Sequence, residues 1–310
     1  MKLHKRGIKK DMLKNLSKLL ILLGVFNLVA CQSSENSDTE GAANVESTIT
    51  VPPISVQLWS VKDAVKADFK GTLTQLAAMG FNGVEFAGDY GPFKDDPEGL
   101  KAFLTSLGLK ASGAHVGFKQ VKSDDFEKTL AFLQKIDAKL VNIGADSRAW
   151  QADGVHELTE DLTSYAKLFA KYDLVFGYHN HDHEFNSYKG STYWDYIAQN
   201  TAENVGLQLD IGWVNYAGKD PLEYVKRYPN RTLTTHIKVR TQRGSEPKRS
   251  TQPVTLGQDG YDWATLIKAM VEHGGTQWLV LEQEEYPAGL TPMQAVEQSK
   301  LGLDAIVAKM

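Results

Sequence analysis

The sequence predicts an α/β fold with a single closed (β/α)8 barrel over residues 53–310. From Ile54 onwards, short apolar segments alternate with longer amphipathic segments, and each kind occurs eight times. Parallel strands need crossover helices, and closing the sheet into a barrel removes both of its edges. The segment also has about the length of one such barrel. No glycine-rich phosphate loop follows the first predicted strand, where residues 59–63 read WSVKD, so a doubly wound open sheet is the disfavoured alternative.

The eight predicted strands are short apolar segments that stop at a polar or turn-forming residue. Each one is followed by an amphipathic segment. In chain order the strands are residues 54–59, 83–86, 110–115, 140–143, 174–179, 205–210, 232–239 and 277–282.

The amphipathic segments predict eight helices. Glycine directly follows three of them and ends the helix. Two of them begin with the spacing of a capping box, Asp124 with Glu127 and Thr291 with Gln294. In chain order the helices are residues 66–79, 97–107, a segment opened by Asp124, 157–171, 192–199, 221–228, 263–273 and 291–308.

Residues 1–30 have the organisation of an export signal. Seven Lys or Arg residues precede an apolar segment at 19–29 that is too short to span a membrane. Leu28-Val29-Ala30 then precedes Cys31, the single cysteine, in a pattern that resembles the lipobox of bacterial lipoproteins. The resemblance implies lipidation of Cys31 and export to a periplasm-facing or outer-membrane location; an ordinary secretion signal is the alternative.

Residues 31–52 are predicted to be a disordered tether, because they are polar and acidic with little that could enter a core. Removing residues 1–30 takes away seven basic residues and one acidic residue, which changes the net charge from −4 to −10. So acidic a domain argues against nucleic acid as a partner. We expect contact with the membrane only through the lipid on Cys31, and the sequence predicts no particular oligomeric state.

The segment 174–185, LVFGYHNHDHEF, is the most informative in the chain. Its apolar part ends at His179, and His181 and His183 follow. Residues two apart on an extended chain point to the same face, so His179 and His181 could enter one cavity, and metal binding is a frequent use of neutral imidazole. A polar surface loop is the alternative. Three later apolar segments also end at or near a ligand-type residue: Asp210, His236 and Glu282.

A parallel barrel gathers the carboxyl ends of all its strands around one mouth. Six polar side chains far apart in sequence are therefore expected to converge: Glu85, His115, His179, Asp210, His236 and Glu282. Imidazole and carboxylate donors without thiolate suit Mn, Fe, Co or Zn. Such an ion stabilises the enediolate that forms when a base removes the proton between a carbonyl and a neighbouring hydroxyl. Taken singly, each residue has a structural alternative, such as a helix cap for Asp210 or a core imidazole for His236.

From residue 54 onwards the chain resembles the xylose isomerase-like TIM-barrel superfamily, the group labelled sugar phosphate isomerase/epimerase. The segments that carry the resemblance are GVE at 83–85, LQLDIG at 207–212, HIK at 236–238, LG at 256–257 with YDW at 261–263, and LVLE at 279–282. The resemblance implies one divalent metal ion, Mn first and Zn, Co or Fe as alternatives. By the same pattern its ligands are His179, Asp210, His236 and Glu282.

Epimerases of this superfamily use two glutamates, one on each side of the substrate. The position that ends strand 5 is commonly one of them, and here it is His179, which breaks that symmetry. A single base still serves β-elimination, as in relatives acting on 3-keto-glycosides and keto-inositols. The candidate acids and bases are Glu85, His115, His181, Lys238 and Glu282.

These observations predict a metal-dependent sugar isomerase or epimerase that removes a proton α to a carbonyl. The sugar is expected to be non-phosphorylated, because an exported lipoprotein does not meet cytosolic sugar phosphates. The alternatives are a 3-keto-glycoside lyase or hydratase that uses the same site, and a non-catalytic carbohydrate-binding lipoprotein. An endonuclease for abasic DNA is disfavoured by the acidity of the domain. The basic segment 240–249 is predicted to be a lid over the mouth, and a solvated loop is the alternative.

Overall fold

Eight parallel strands form a closed barrel in the computed structural model, which describes residues 49–241 and 252–310. Pairing of the first barrel strand with the last closes the ring, so the predicted (β/α)8 barrel is confirmed. The barrel strands are β1 Ile54–Gln57, β2 Gly83–Phe86, β3 Lys110–Val116, β4 Leu140–Ile143, β5 Val175–His179, β8 Gly206–Asp210, β9 Thr234–Ile237 and β10 Trp278–Leu281. Two further short strands, β6 Ser187–Tyr188 and β7 Ser191–Thr192, form an antiparallel hairpin outside the barrel.

Helices connect the barrel strands. They are α1 Lys62–Ala67, α2 Phe69–Ala78, α3 Pro97–Ser106, α4 Phe118–Val121, α5 Phe126–Lys135, α6 Val155–Ala170, α7 Tyr193–Asn200, α8 Ile211–Tyr216, α9 Pro221–Arg227, α10 Trp263–Ala269 and α11 Pro292–Val307. Short 3-10 turns lie at Leu58–Val61, Gly91–Phe93, Ser147–Trp150 and His183–Phe185, and a π-helical turn at Met270–Gly274 extends α10. Among the residues described, no helix is long and apolar enough to cross a membrane.

Two local predictions need correction, and two short helices were not predicted. The helix predicted at 66–79 is two helices, because Asp68 leaves the helical conformation and its carboxylate accepts a hydrogen bond from the Gly71 N–H at 2.9 Å. The capping box predicted at Asp124 is wrong, since α5 begins after Asp125 without a side-chain cap. The short helices α4 and α8 were not predicted. The capping box of Thr291 with Gln294 is confirmed.

Several predictions concern residues outside 49–241 and 252–310. They are the export signal at 1–30, the lipidation site at Cys31, most of the tether at 31–52 and most of the lid at 240–249.

The barrel strands are buried along almost their whole length, which is typical of a parallel sheet covered on both faces. Some of these buried strand residues are nevertheless polar or charged: Gln57, Glu85, Asn142, Gln208 and His236. Buried polar groups need hydrogen-bond partners, so they are expected to form a network inside the barrel. That network leads to the candidate site.

Candidate metal centre

The candidate site lies at the carboxyl ends of the barrel strands. Its side chains come from β2, β3, β5, β8 and β9 and from the residue that follows β10. The strand register pairs Asp210 with His236 and pairs His236 with Val280. The N–H of Glu282, two residues beyond Val280, donates to the carbonyl of Ile237. Three consecutive strands therefore bring Asp210, His236 and Glu282 to the same level.

Asp210, His236 and Glu282 form a compact donor group. One ligand atom from each lies within 4.8 Å of the others, and all three residues are buried. Nδ1 of His236 is 2.7 Å from Oε2 of Glu282 and 3.7 Å from Oδ2 of Asp210. The other Asp210 oxygen, Oδ1, accepts from the Trp213 N–H at 2.9 Å and caps α8. The structural alternative for Asp210, a helix cap, is thus realised by Oδ1, while Oδ2 faces the donor group.

His179 lies beside this group. Its Nε2 is 3.8 Å from Oδ2 of Asp210, and it forms a second compact group with His115 and His236, again within 4.8 Å. The Nδ1 atom of His179 is buried and has no hydrogen-bond partner in the part of the chain that the structure describes. Burial and the neighbouring histidines lower the pKa of His179 well below its ordinary value. The imidazole is therefore neutral, the form in which histidine binds a metal.

Glu85 lies at the base of the cluster with no exposed surface. Its Oε2 accepts from Gln57 Nε2 at 2.7 Å and lies 2.6 Å from His236 Nε2, and its Oε1 accepts from Gln208 Nε2 at 2.7 Å. The register with β3 shifts beside Glu85, and a Cβ at Gly113 would lie 3.1 Å from Oε1, so the glycine leaves room for the carboxylate. Glu85 therefore orients His236 from below. Its predicted role as an acid or base stays a prediction.

Opposite charges control ionisation in the cluster. Burial would raise the pKa of Glu85, but His115 and His236 lower it below its ordinary value. Burial would lower the pKa of His236, but Glu85 and Glu282 raise it well above its ordinary value. As an imidazolium, His236 donates one ring N–H to each of these carboxylates. A metal ion at Nδ1 would replace one of the two protons.

Lys238 follows β9 and is also buried. Its Nζ is 3.1 Å from Oδ2 of Asp210, 3.0 Å from Oε2 of Glu282 and 2.5 Å from Oε2 of Glu284. Burial would lower the pKa of Lys238, but these three carboxylates raise it above its ordinary value. The side chain is charged at neutral pH and has no lone pair with which to accept a proton. The predicted role of Lys238 as an acid or base stays a prediction, and its charged form suits an acid.

Two histidines at the mouth are less buried than the rest. The His115 side chain is 17% exposed, and its Nε2 is 2.5 Å from Oε1 of Gln208. The His181 ring is partly exposed, with its centroid 5.1 Å from that of His179 and 5.2 Å from that of Trp213. Burial lowers the pKa of His181 to about 4, so its imidazole is neutral at pH 7. Neutral imidazole can accept a proton.

The third histidine of the segment, His183, lies elsewhere. It is exposed, its Nδ1 is 2.9 Å from Asp182, and its ring centroid is 5.2 Å from that of Trp150. The rings of His179 and His181 thus lie close together, as their spacing predicted, and His183 is not part of the site.

Sequence reasoning missed the polar residues that hold the site together. Gln57 and Gln208 hold Glu85, the Asn180 side chain accepts from the Asp210 N–H at 2.9 Å, and Glu284 pairs with Lys238. A signal was present for Gln208, because it interrupts an apolar strand between Leu207 and Leu209. A polar residue buried in a strand needs a partner inside the fold.

The donor chemistry fits a divalent metal ion. Two carboxylates and one imidazole converge, a neutral second imidazole with an orphaned nitrogen stands beside them, and no thiolate is present among these groups. Nitrogen and oxygen donors of this kind suit Mn, Fe, Co or Zn. The carboxylate that orients His236 completes the arrangement commonly found behind a metal-binding histidine.

A family model described as "Xylose isomerase-like TIM barrel" matches residues 73–306 of the chain. Among similar curated proteins, an inosose dehydratase of Clostridium botulinum (strain Eklund 17B / Type B) is 24% identical over 259 residues, covering 73% of this chain and 85% of the relative. An inosose dehydratase of Lacticaseibacillus casei is 25% identical over 270 residues, covering 76% and 89%.

Solved structures share the fold. A sugar phosphate isomerase/epimerase from Parabacteroides distasonis superimposes with a TM-score of 0.67 at 22% identity, covering 82% of this chain and 98% of that one. An IolI protein with a bound zinc atom superimposes with a TM-score of 0.59 at 16% identity, covering 83% and 98%.

Proposed function

The chain belongs to the xylose isomerase-like TIM barrel family, and we propose that it is a divalent-metal-dependent enzyme acting on a non-phosphorylated keto sugar or keto-polyol. We further propose that it removes a proton α to the carbonyl and then expels the β oxygen, which makes it a lyase or dehydratase. The observation that carries the proposal is the convergence of Asp210, His236 and Glu282 within 4.8 Å at the mouth of the barrel. The dehydratase relatives support elimination over isomerisation.

Asp210, His236 and Glu282 would hold the metal, with His179 as a fourth ligand from β5. We expect Mn2+, with Zn2+, Co2+ or Fe2+ as alternatives. A divalent ion there supplies a Lewis acid for the carbonyl oxygen and for the negative charge that develops on it. The tasks left to the protein are to orient these donors, to remove a proton and to return one to the leaving oxygen.

Glu85 and Lys238 are assigned to the first of these tasks. Glu85 accepts the Nε2 proton of His236 and thereby directs Nδ1 towards Asp210 and Glu282. Lys238 holds the two carboxylates of the donor group at about 3 Å from its ammonium. Neither side chain is exposed, so neither is assigned to proton transfer.

Proton transfer is assigned to the imidazoles at the mouth, His181 and His115. Both are partly exposed, and His181 is neutral at pH 7 because burial lowers its pKa to about 4. In the proposed reaction an imidazole takes the α proton and the new C=C bond forms as the β C–O bond breaks. The departing oxygen takes up a proton and leaves as water or as an alcohol, and an unsaturated ketone remains.

An asymmetric site favours elimination over epimerisation. Epimerisation by two carboxylates requires one on each side of the substrate, and β5 ends here in His179, whose Nδ1 is buried. One base on one side is sufficient for elimination. Isomerisation or epimerisation is the second candidate, because solved structures that share this fold include sugar epimerases.

The test is incubation of the purified protein and Mn2+ with inososes and 3-keto-glycosides in deuterated water. We expect loss of water or aglycone and an ultraviolet-absorbing unsaturated ketone. The His181→Asn and His115→Asn variants should separate the base from its neighbour, since only loss of the base abolishes deuterium exchange. Exchange without elimination would point to isomerisation or epimerisation. If the protein shows no deuterium exchange and does not bind Mn2+, the result would favour a sugar-binding protein.

The proposed location is outside the cytosol, on a lipid attached to Cys31. A Cys31→Ala variant should move from the membrane fraction to the soluble fraction of the cell. Retention of that variant in the membrane fraction would contradict the anchor without affecting the proposed chemistry.

A further inference from the structure

Asp210 and Glu282 present the same two oxygens to two different cations. Oδ2 of Asp210 and Oε2 of Glu282 lie 3.7 and 2.7 Å from Nδ1 of His236, in the donor group described above. The same two atoms lie 3.1 and 3.0 Å from Nζ of Lys238. An ammonium therefore already occupies one side of the oxygens that a divalent ion would use.

We propose that Lys238 is an internal counter-cation that holds the centre together when no metal is bound and competes with the metal for these oxygens. The inference rests on the proposed metal centre. It assigns to Lys238 a role in setting metal affinity, separate from any role in proton transfer.

Burial makes a counter-cation necessary. Asp210 has no exposed surface and Glu282 is 5% exposed, and Glu85 lies buried below them. Carboxylates taken out of water are strongly destabilising unless cations and hydrogen bonds compensate them. Within the described part of the chain, the side chains that face both Asp210 and Glu282 with positive charge are Lys238 and His236.

Close packing holds the lysine in this position. A Cβ at Gly212 would lie 2.9 Å from Cγ of Lys238, so the stem of the lysine occupies the space that a side chain at 212 would need. Gly212 follows Asp210 by two residues and lies within α8. The sequence thus provides room for the lysine directly beside one of the carboxylates that it neutralises.

Glu284 gives the ammonium another partner. Its Oε2 is 2.5 Å from Nζ of Lys238, its side chain is 23% exposed, and it is not part of the compact donor group. When a metal takes the oxygens of Asp210 and Glu282, the lysine can keep its contact with Glu284. Displacement then costs less than transfer of an unpaired ammonium into the protein interior.

The ammonium of Lys238 and a divalent metal ion repel one another, so removal of the lysine charge should strengthen metal binding. Lys238→Met keeps a long apolar stem against Gly212 and removes the charge. We expect this variant in the full chain to bind Mn2+ at least about tenfold more tightly than the wild type in calorimetric titration. Its melting temperature should fall in EDTA and recover on addition of Mn2+.

Arg240→Met is the matched control. Arg240 is also a partly buried cation and pairs with Glu284 and Glu285, but no contact joins it to Asp210 or Glu282 among the described ion pairs. We expect its Mn2+ affinity to stay within about twofold of the wild type. A Glu284→Gln variant tests the displacement step and should bind Mn2+ more weakly, because the displaced ammonium loses its remaining partner.

Unchanged or weaker Mn2+ binding by Lys238→Met would overturn the counter-cation role, and so would equal gains in Lys238→Met and Arg240→Met. If neither wild type nor Lys238→Met binds Mn2+, the proposed metal centre itself fails. If wild type binds and the two affinities are equal, the centre stands and only the present inference is lost. If Lys238→Met folds only in the presence of Mn2+, that dependence supports the proposal. If Lys238→Met does not fold at all, the Glu284→Gln variant decides, and unchanged Mn2+ binding by that variant overturns the proposal.

Discussion

Two buried acidic sites in this barrel are built in opposite ways. Around Asp195, at the start of α7, a single carboxylate receives many donors: Ser191, Thr192, Arg227 and Tyr228. At the candidate metal centre, three buried carboxylates share two cations: Glu85, Asp210 and Glu282 surround Lys238 and His236. The buried carboxylate of the first site has several donors, whereas the buried carboxylates of the second site outnumber their cations.

The difference separates stability from chemistry. Burial would raise the pKa of Asp195, but donors from Ser191, Thr192, Tyr228 and Arg227 lower it to about 2, so it is a permanent anion that joins α7 to α9. Such a site is complete without a ligand. An acidic site with a deficit of cations, and with the neutral imidazole of His179 beside it, is suited to take up a metal ion.

The largest effect is expected for Asp210→Asn. The amide oxygen can still cap α8 by accepting from the Trp213 N–H, while an NH2 group replaces the ligand oxygen Oδ2. Mn2+ affinity should fall by more than about 100-fold, beyond the range expected for a residue that only orients a ligand. Calorimetric titration with Mn2+ checks this; affinity close to that of the wild type would remove Asp210 from the ligand set and erase the contrast between the two sites.

Asp195→Asn should lower stability and spare the metal centre. The substitution weakens the partly buried pair with Arg227 and should lower the free energy of unfolding by about 2 kcal/mol, as measured by urea denaturation. The exposed pair of Asp125 with Lys128 gives a control, since Asp125→Asn should change stability by less than about 0.5 kcal/mol. A fall in Mn2+ affinity for Asp195→Asn would show that the two sites are coupled.

Glu85→Gln should have an intermediate effect on metal binding. The amide brings an N–H group towards the donors of Gln57, Gln208 and His236, so at least one hydrogen bond is lost and the orientation of His236 is loosened. Mn2+ affinity should fall by about 10–100-fold. Nitrogen NMR of the metal-free variant should show the His236 imidazolium losing its proton at a lower pH than in the wild type, because Glu85 raises the pKa of His236; an unchanged titration would argue against the positioning role.

The smallest effect concerns Glu184, which lies next to the mouth. Burial raises its pKa to about 7 although Tyr178 OH and the His181 N–H donate to it. Because Glu184 binds its proton more tightly in the folded state than in the unfolded state, its contribution to stability is largest below about pH 4.5. That contribution falls as the pH rises towards 7. Over pH 5–7 the Glu184 contribution should lower the melting temperature by roughly 2–4 °C. Glu184→Gln should remove that part of the slope; an unchanged slope would mean that Glu184 ionises normally.

The sequence alone determined the barrel and the end of it that carries the site. Apolar segments of strand length alternate with amphipathic ones, and a parallel barrel necessarily brings all strand ends to one mouth. For that reason His179, Asp210, His236 and Glu282 could be placed together from their positions alone. Helix boundaries were harder to predict from the sequence, because the break at Asp68 and the short helix α8 depend on single capping carboxylates.

Only the tertiary structure decided what each side chain at the mouth does. From the sequence, Glu85 and Lys238 were equivalent to the other candidates, since each lies at or near a strand end. The register shift beside Glu85 and the absence of a side chain at Gly113 bring its carboxylate under His236. The glycine at 212 lets Lys238 fold back between Asp210 and Glu282. Periodicity fixes the level of a residue along the barrel, whereas the direction of its side chain depends on contacts with other strands, which for Glu85 and His236 are 151 positions apart.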